Sequence, residues 1–190
     1  PTKAALEQHR AAVHAQIKVA AKPRKPRAKV AAKQSTGDSV IRISKTEYVS
    51  TVENAKGSYF KIAADCTPIL KKFSAMFENF RVISAKAIFQ PILAYADGRI
   101  YMAVDYRSST SDTINKTTIT AMPNVSGPII KPLTLPIRTE PSVLRYVGGK
   151  GDRDEPYAVY FISDGVDAKK LNTGDIMLQY DVEFSGLRAV

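Results

Sequence analysis

The chain has no histidine after residue 14, because its two histidines, His9 and His14, both lie in the first 36 residues. A folded body without imidazole has no Ser-His-Asp or Cys-His nucleophile system and no zinc site built on histidine. Cysteine is almost as scarce. The single Cys66 permits neither an intramolecular disulfide nor a thiolate cluster, so the chain needs no oxidising compartment and reads as intracellular. No apolar run approaches the roughly 20 residues that cross a bilayer, and the N-terminal stretch has no apolar core of the secretory kind. A membrane partner is not expected. Pro1 fits a start left by removal of an initiator Met before a small residue.

Phosphate-loop chemistry is missing too. The glycine-rich YVGGKGD (146–152) lacks the Walker spacing: six residues before Lys150 stands Leu144 in place of glycine, and Gly151 follows where Ser or Thr must reach a metal. This stretch reads as a surface loop. Carboxylates are scattered over the body and nothing selects a pair for glycoside chemistry, so no catalytic residue is assigned and no enzyme is expected.

What the chain does have is an uneven charge. Of 28 Lys+Arg and 18 Asp+Glu, residues 1–36 hold nine cations (Lys3, Arg10, Lys18, Lys22, Arg24, Lys25, Arg27, Lys29 and Lys33) against Glu7 alone, or +8. The remaining 154 residues carry 19 cations and 17 anions. A nearly neutral body with a basic arm points to a polyanionic partner. Lys and Arg beside phosphates release condensed counterions and give affinity without sequence readout. No aromatic residue lies in 1–36, so base stacking is closed to the arm and neutralisation or packaging is favoured. A localisation signal is the plainer reading of PRKPR, but the charge runs over more than thirty residues. The Ala-rich start has only a thin apolar stripe (Leu6, Val13, Ile17), too little to offset the entropy of ordering a helix in water. A disordered arm that becomes helical on phosphates is the expectation. Pro23 and Pro26 block helix continuation, and Ser35-Thr36-Gly37-Asp38 reads as the hinge into one domain, residues 37–190.

The body has the texture of strands. VIRISKTEYVSTVE (40–53) alternates, and SYFKIAA (58–64) follows the Gly57 turn. TPILKKFSAMFENF (67–80) predicts the best helix, with Thr67 as N-cap, Pro68 first, and an apolar stripe through Phe73, Met76, Phe77 and Phe80. FRVISAKAIFQPILAY (80–95) predicts a long strand whose Pro91 suggests an edge or a bulge; across Ala96-Asp97-Gly98 it forms an apparent hairpin with RIYMAVDY (99–106). A short helix is expected at the start of TINKTTITAM (113–122), extended chain over 128–138, and strands at 142–147, 157–163 and 175–190. Eight or so strands with two short helices indicate an antiparallel sandwich or barrel. Tyr95, Tyr101, Tyr106, Tyr157 and Tyr160 offer rings for stacking, although tyrosine at alternate strand positions is ordinarily core or interface. Asp105 with Asp112, or Asp152 with Asp154 and Glu155, offer oxygen ligands for Ca²⁺ between subunits, the only cofactor the carboxylates suggest; solvated loop carboxylates are the plainer reading.

Basic arm, hinge and β-rich body together resemble the coat proteins of small icosahedral positive-strand RNA viruses, of the sobemovirus, tombusvirus and luteovirus kind. The likeness rests on GSYFKIAADCTPILKKFSAMFENFRVISAKAIFQP (57–91) and DGRIYMAVDY (97–106). It implies an all-β, eight-stranded antiparallel jelly-roll sandwich that self-assembles from identical subunits and packages single-stranded genomic RNA through its arm. The virion, with the host cytoplasm during assembly, would then be its location. No protruding domain is expected after the shell, which ends at Val190. The Asp105–Asp112 spacing departs from the closely spaced calcium-binding aspartates of several relatives, which puts calcium in doubt. Two rivals remain: a ribosomal-type RNA-binding protein, whose body should carry a basic face, and a β-sandwich hydrolase with a targeting tail, which the missing histidines oppose.

Overall fold

The computed structural model describes residues 39–107, 114–148, 157–165 and 171–188. Nine strands are present among them: β1 Ile41–Glu53, β2 Ser58–Ile62, β3 Phe77–Pro91, β4 Arg99–Asp105, β5 Asn124–Pro128, β6 Leu133–Ile137, β7 Arg145–Tyr146, β8 Tyr157–Asp164 and β9 Asn172–Leu187. Two short helices, α1 Pro68–Ser74 and α2 Lys116–Thr120, complete the described elements. The larger sheet runs β1-β9-β3-β6, with β7 also on β3, and the smaller runs β2-β8-β4-β5. All ladders in both sheets are antiparallel. Consecutive strands repeatedly cross from one sheet to the other, as in a sandwich closed by two Greek keys.

The core lies between the sheets. Inward positions of β9 (Ile176, Leu178, Tyr180, Val182, Phe184) meet Ile100, Met102 and Val104 of β4 and Val159 and Phe161 of β8, all buried. Phe184 gathers Phe73, Phe77 and Phe80 at ring distances of 6.1, 5.9 and 6.3 Å, the offset and tilted arrangements aromatic quadrupoles prefer. β4 and β8 have few polar positions because their second face is also covered: Tyr101, Ala103, Ala158 and Tyr160 pack with Ile119 of α2. A strand buried on both faces reads as a continuous apolar run.

Three expectations are corrected. The helix from Thr67 starts as predicted, with Thr67 Oγ1 accepting from Leu70 N, but it stops at Ser74. From Phe77 onward the chain is strand, since Phe80 opposite Phe184 and Val82 opposite Val182 gain a ladder to β9. The supposed hairpin between 80–95 and 99–106 is a crossover: β3 belongs to the larger sheet, β4 to the smaller. Pro91 marks neither an edge nor a bulge. It is the last residue of an interior strand, opposite Gly174 and beyond the β6 ladder, which ends at Phe89. The approach there is close enough that a Cβ on Gly174 would lie 2.4 Å from the Gln90 carbonyl oxygen. In β1 the alternation changes phase at a bulge between Tyr48 and Ser50, so Ile43 and Val52 are buried while Tyr48 faces solvent.

Candidate interaction surfaces

The outer face of the larger sheet is set by register. With the inward side chains of β9 in the core, Asp175, Met177, Gln179, Asp181 and Glu183 point away from it. Each sits in a cross-strand row: Arg42–Glu183–Arg81, Ser44–Asp181–Ser84, Thr46–Gln179–Lys86, Tyr48–Met177–Ile88 and Thr51–Asp175–Gln90. The charges answer one another. Arg42 donates to Asp181 through Nε at 2.7 Å and again through Nη2, and Ser44 donates to the same carboxylate at 3.1 Å. Arg81 pairs with Glu183, and Thr51 donates to Asp175 at 2.9 Å. The guanidinium of Arg42 holds the Asp181 carboxyl below its ordinary range. In these rows Arg42, Arg81 and Lys86 balance Asp175, Asp181 and Glu183, so the face is not basic.

One inward position of β1 carries a carboxylate. Glu47, opposite Leu178, accepts from Thr67 Oγ1 at 2.5 Å, from the Ile69 backbone N–H at 3.3 Å and from the Tyr180 hydroxyl. It ties β1, β9 and the start of α1 together. Burial first, and then the hydrogen bond to Glu47, raises the Tyr180 phenol above its ordinary range. Burial likewise pushes the nearby Cys66 thiol up to about 12, leaving it protonated and poorly nucleophilic. The arrangement braces the fold and offers no reacting group.

Exposed apolar side chains cluster at two places. One is the β3–β4 connection, where Ile92 and Tyr95 are largely exposed. The other is the opposite end of β3, where Met76, Val143, Leu144, Tyr146 and Leu187 are 43, 37, 53, 63 and 61% exposed. There an open hollow of about 400 Å³ lies among Ala64, Lys71, Phe80, Val147 and Arg188. Of the tyrosines offered for stacking, Tyr101, Tyr157 and Tyr160 are buried while Tyr95 and Tyr106 are exposed.

The sequence-predicted sites fall mostly elsewhere. All nine arm cations, from Lys3 to Lys33, lie outside the described residues, as do Asp112, Asp152, Asp154 and Glu155. Asp105 is described; its Oδ1 accepts the Arg107 N–H at 2.8 Å, and it lines a second cleft, of about 480 Å³, with Tyr106 and Met122. Among the described residues no three metal-ligating side chains come together.

No protein-family model and no curated protein matches the sequence. Solved structures do match. A chain of tobacco necrosis virus superposes with a TM-score of 0.70 at 14% identity, over 80% of this chain and 98% of that one. A chain of mud crab tombus-like virus gives 0.68 at 12% identity, over 85% and 96%, and one of cocksfoot mottle virus gives 0.70 at 11% identity, over 79% and 97%. The fold is the viral capsid jelly roll. In this jelly roll the β1-β9-β3-β6 sheet presents the paired charges, and β7 adds a two-residue rung beside the exposed Leu144 and Tyr146. Sequence reasoning missed both that surface and Glu47. Counting alternate positions from Ile41 through Ile43 and Lys45 does put Glu47 inside. Nothing in SVLRYV tells which of its apolar residues the sheet would leave in solvent.

Proposed function

We propose that the chain is a structural, non-enzymatic subunit of an icosahedral virus shell. Residues 37–190 form the shell domain, which assembles with identical copies. Residues 1–36 form a basic arm that packages single-stranded RNA through Lys3, Arg10, Lys18, Lys22, Arg24, Lys25, Arg27, Lys29 and Lys33. The observation that carries this is the superposition of the two-sheet body on chains of three viruses at TM-scores of 0.70, 0.68 and 0.70 over nearly the whole length of those chains. Some matching structures come from assembled particles: a nodavirus semi-empty VLP, and a T=1 subviral particle of a capsid-protein deletion mutant.

The charge division supports the second half of the proposal. A neutral body lets copies approach without long-range repulsion, while +8 in residues 1–36 screens the packaged polyanion. A ribosomal-type RNA-binding body needs a basic face, and the paired charges on the outer face of the larger sheet do not make one. The test is sedimentation velocity on the full-length protein with absorbance read at nucleic-acid and protein wavelengths. A large, narrow boundary absorbing as nucleoprotein is expected. A slow monomer or dimer boundary that persists after RNA is added would overturn the proposal.

A further inference from the structure

Of the four strands that end the two strand orders, β2, β5 and β6 have five residues each. β1 has 13. It pairs only with β9, so among the described residues its other side is an edge about 40 Å long with no strand beside it. Such an edge is a template for strand addition by another chain. β6, at the far end of the same sheet, carries Pro136 within its five residues, and a proline has no N–H to give a ladder. The long edge of β1 has no proline and needs another protection.

Two features supply it. The first is a cation on the core side. Ile43, Lys45 and Glu47 share one face of β1, and Ile43 is buried. Lys45 stands opposite Tyr180, Tyr180 opposite Ala85, and Ala85 opposite Ile137. The last three are buried; Lys45, in the same inward row, is exposed. Glu47, the next inward residue, accepts from Thr67, Ile69 and Tyr180, and among the described residues the Lys45 side chain makes no hydrogen bond or ion pair. The second feature is the bulge. The register shifts between Tyr48 and Ser50, and a bulge twists a strand out of a regular ladder. An added strand therefore finds a regular edge only from Ile41 to Tyr48, with the Lys45 ammonium near its middle. A strand laid there extends the covered face of the sheet across Lys45 and takes an unpaired charge out of water, which is costly.

We propose that Lys45 guards the free edge of β1 against strand addition by a second copy, so that copies meet through side-chain surfaces and not by joining their sheets. The inference does not rest on the shell-subunit reading, because an open edge is a hazard to a monomer and to a shell subunit alike. An RNA phosphate is the other use for an unpaired cation. The inward placement beside the Glu47 carboxylate opposes it, and the test separates the two.

The test uses the full-length chain. Lys45→Val places a β-branched side chain at an inward strand position, so it should melt no lower than the parent. Its aggregation rate by light scattering should rise at least about tenfold, and the infrared amide I band of the aggregate should gain intermolecular sheet. Lys86→Val removes the same charge from β3, an interior strand of the same sheet, and should aggregate at the parent's rate. Lys45→Glu keeps a charge at the edge, so it should stay in solution and lose no more RNA affinity than Lys86→Glu. Equal aggregation of Lys45→Val and Lys86→Val overturns the guard. Rapid aggregation of Lys45→Glu does so as well. A Lys45→Glu chain that stays in solution but binds RNA far more weakly than Lys86→Glu also overturns it, since Lys45 would then be an RNA contact. Strand addition leaves the body folded, so Lys45→Val aggregates without its near-ultraviolet circular dichroism would show unfolding as the route and overturn the edge. If the parent forms no particles, the shell reading falls while the comparison of Lys45→Val with Lys86→Val still decides the edge.

Discussion

Glu47 is the side chain on which the most separate elements converge, since it accepts from Thr67, Ile69 and Tyr180 at once. Replacing it with Ala leaves the Thr67 and Tyr180 hydroxyls without that acceptor in the interior, which should cost about 2 kcal/mol in urea unfolding. Glu47→Gln should cost less, since one amide oxygen remains to accept. Tyr180 adds a pH dependence. Its folded-state pKa is raised, so its contribution is fully present below the unfolded phenol value near 10 and is lost as pH rises past it. Tyr180→Phe should flatten the alkaline limb of a stability-versus-pH curve. Asp181 acts in the opposite direction. Its pKa is depressed by Arg42, so the stability it contributes is present above the unfolded carboxyl value of about 4 and is lost as pH falls below that. Asp181→Asn should remove part of the acid-side loss, measured by thermal melts between pH 2 and 5.

Among the elements, α1 and the β3–β9 ladder show how local signals compete with pairing. Thr67 and Pro68 mark the helix start, and the structure keeps them there. The apolar stripe from Phe73 to Phe80 fits a helix, yet Phe77 and Phe80 are equally buried as strand residues packed on Phe184. Backbone pairing with β9 decides between them, and that partner lies a hundred residues away. Ala96-Asp97-Gly98 marked a break between strands, but the bend falls at Ala94 and Tyr95, and turn-type residues look the same whether they join hairpin strands or carry the chain between sheets. Gly174 is a sharper case. Its close approach to Gln90 and the Phe89 ring leaves no room for a methyl group, so Gly174→Ala should destabilise the sheet by about 2 kcal/mol. Differential scanning calorimetry should show it as a lowered Tm with the transition still cooperative.

For the whole molecule, the division between a basic arm and a neutral body sets the predictions. With nine arm cations and about 0.7 counterion released per single-strand phosphate contact, log affinity for RNA should fall against log salt with a slope of up to about 6. Filter binding across a salt series measures it, and a slope near zero would remove the arm from the RNA role. Deleting residues 1–36 should leave the body with an unchanged melting curve while altering particle size or RNA content. Loss of cooperative melting in that truncation would contradict a domain boundary at residue 37.

Composition and alternation alone determined the position of the basic segment, the β-rich character of the body, the helix start at Thr67 and most of the strands, though not β5 or the first residues of β3. These are local quantities, set by charge, β-branching and turn residues within a few positions of each other. Only the tertiary structure decided which strands share a sheet, where α1 gives way to β3, that Glu47 meets Thr67, Ile69 and Tyr180, and that Leu144, Tyr146 and Leu187 remain in solvent. Each of those depends on what a residue meets across the sandwich. Alternation says that a side chain lies on one of two faces of a strand, but only the packing of the second sheet, of α1 and of α2 determines which face is covered.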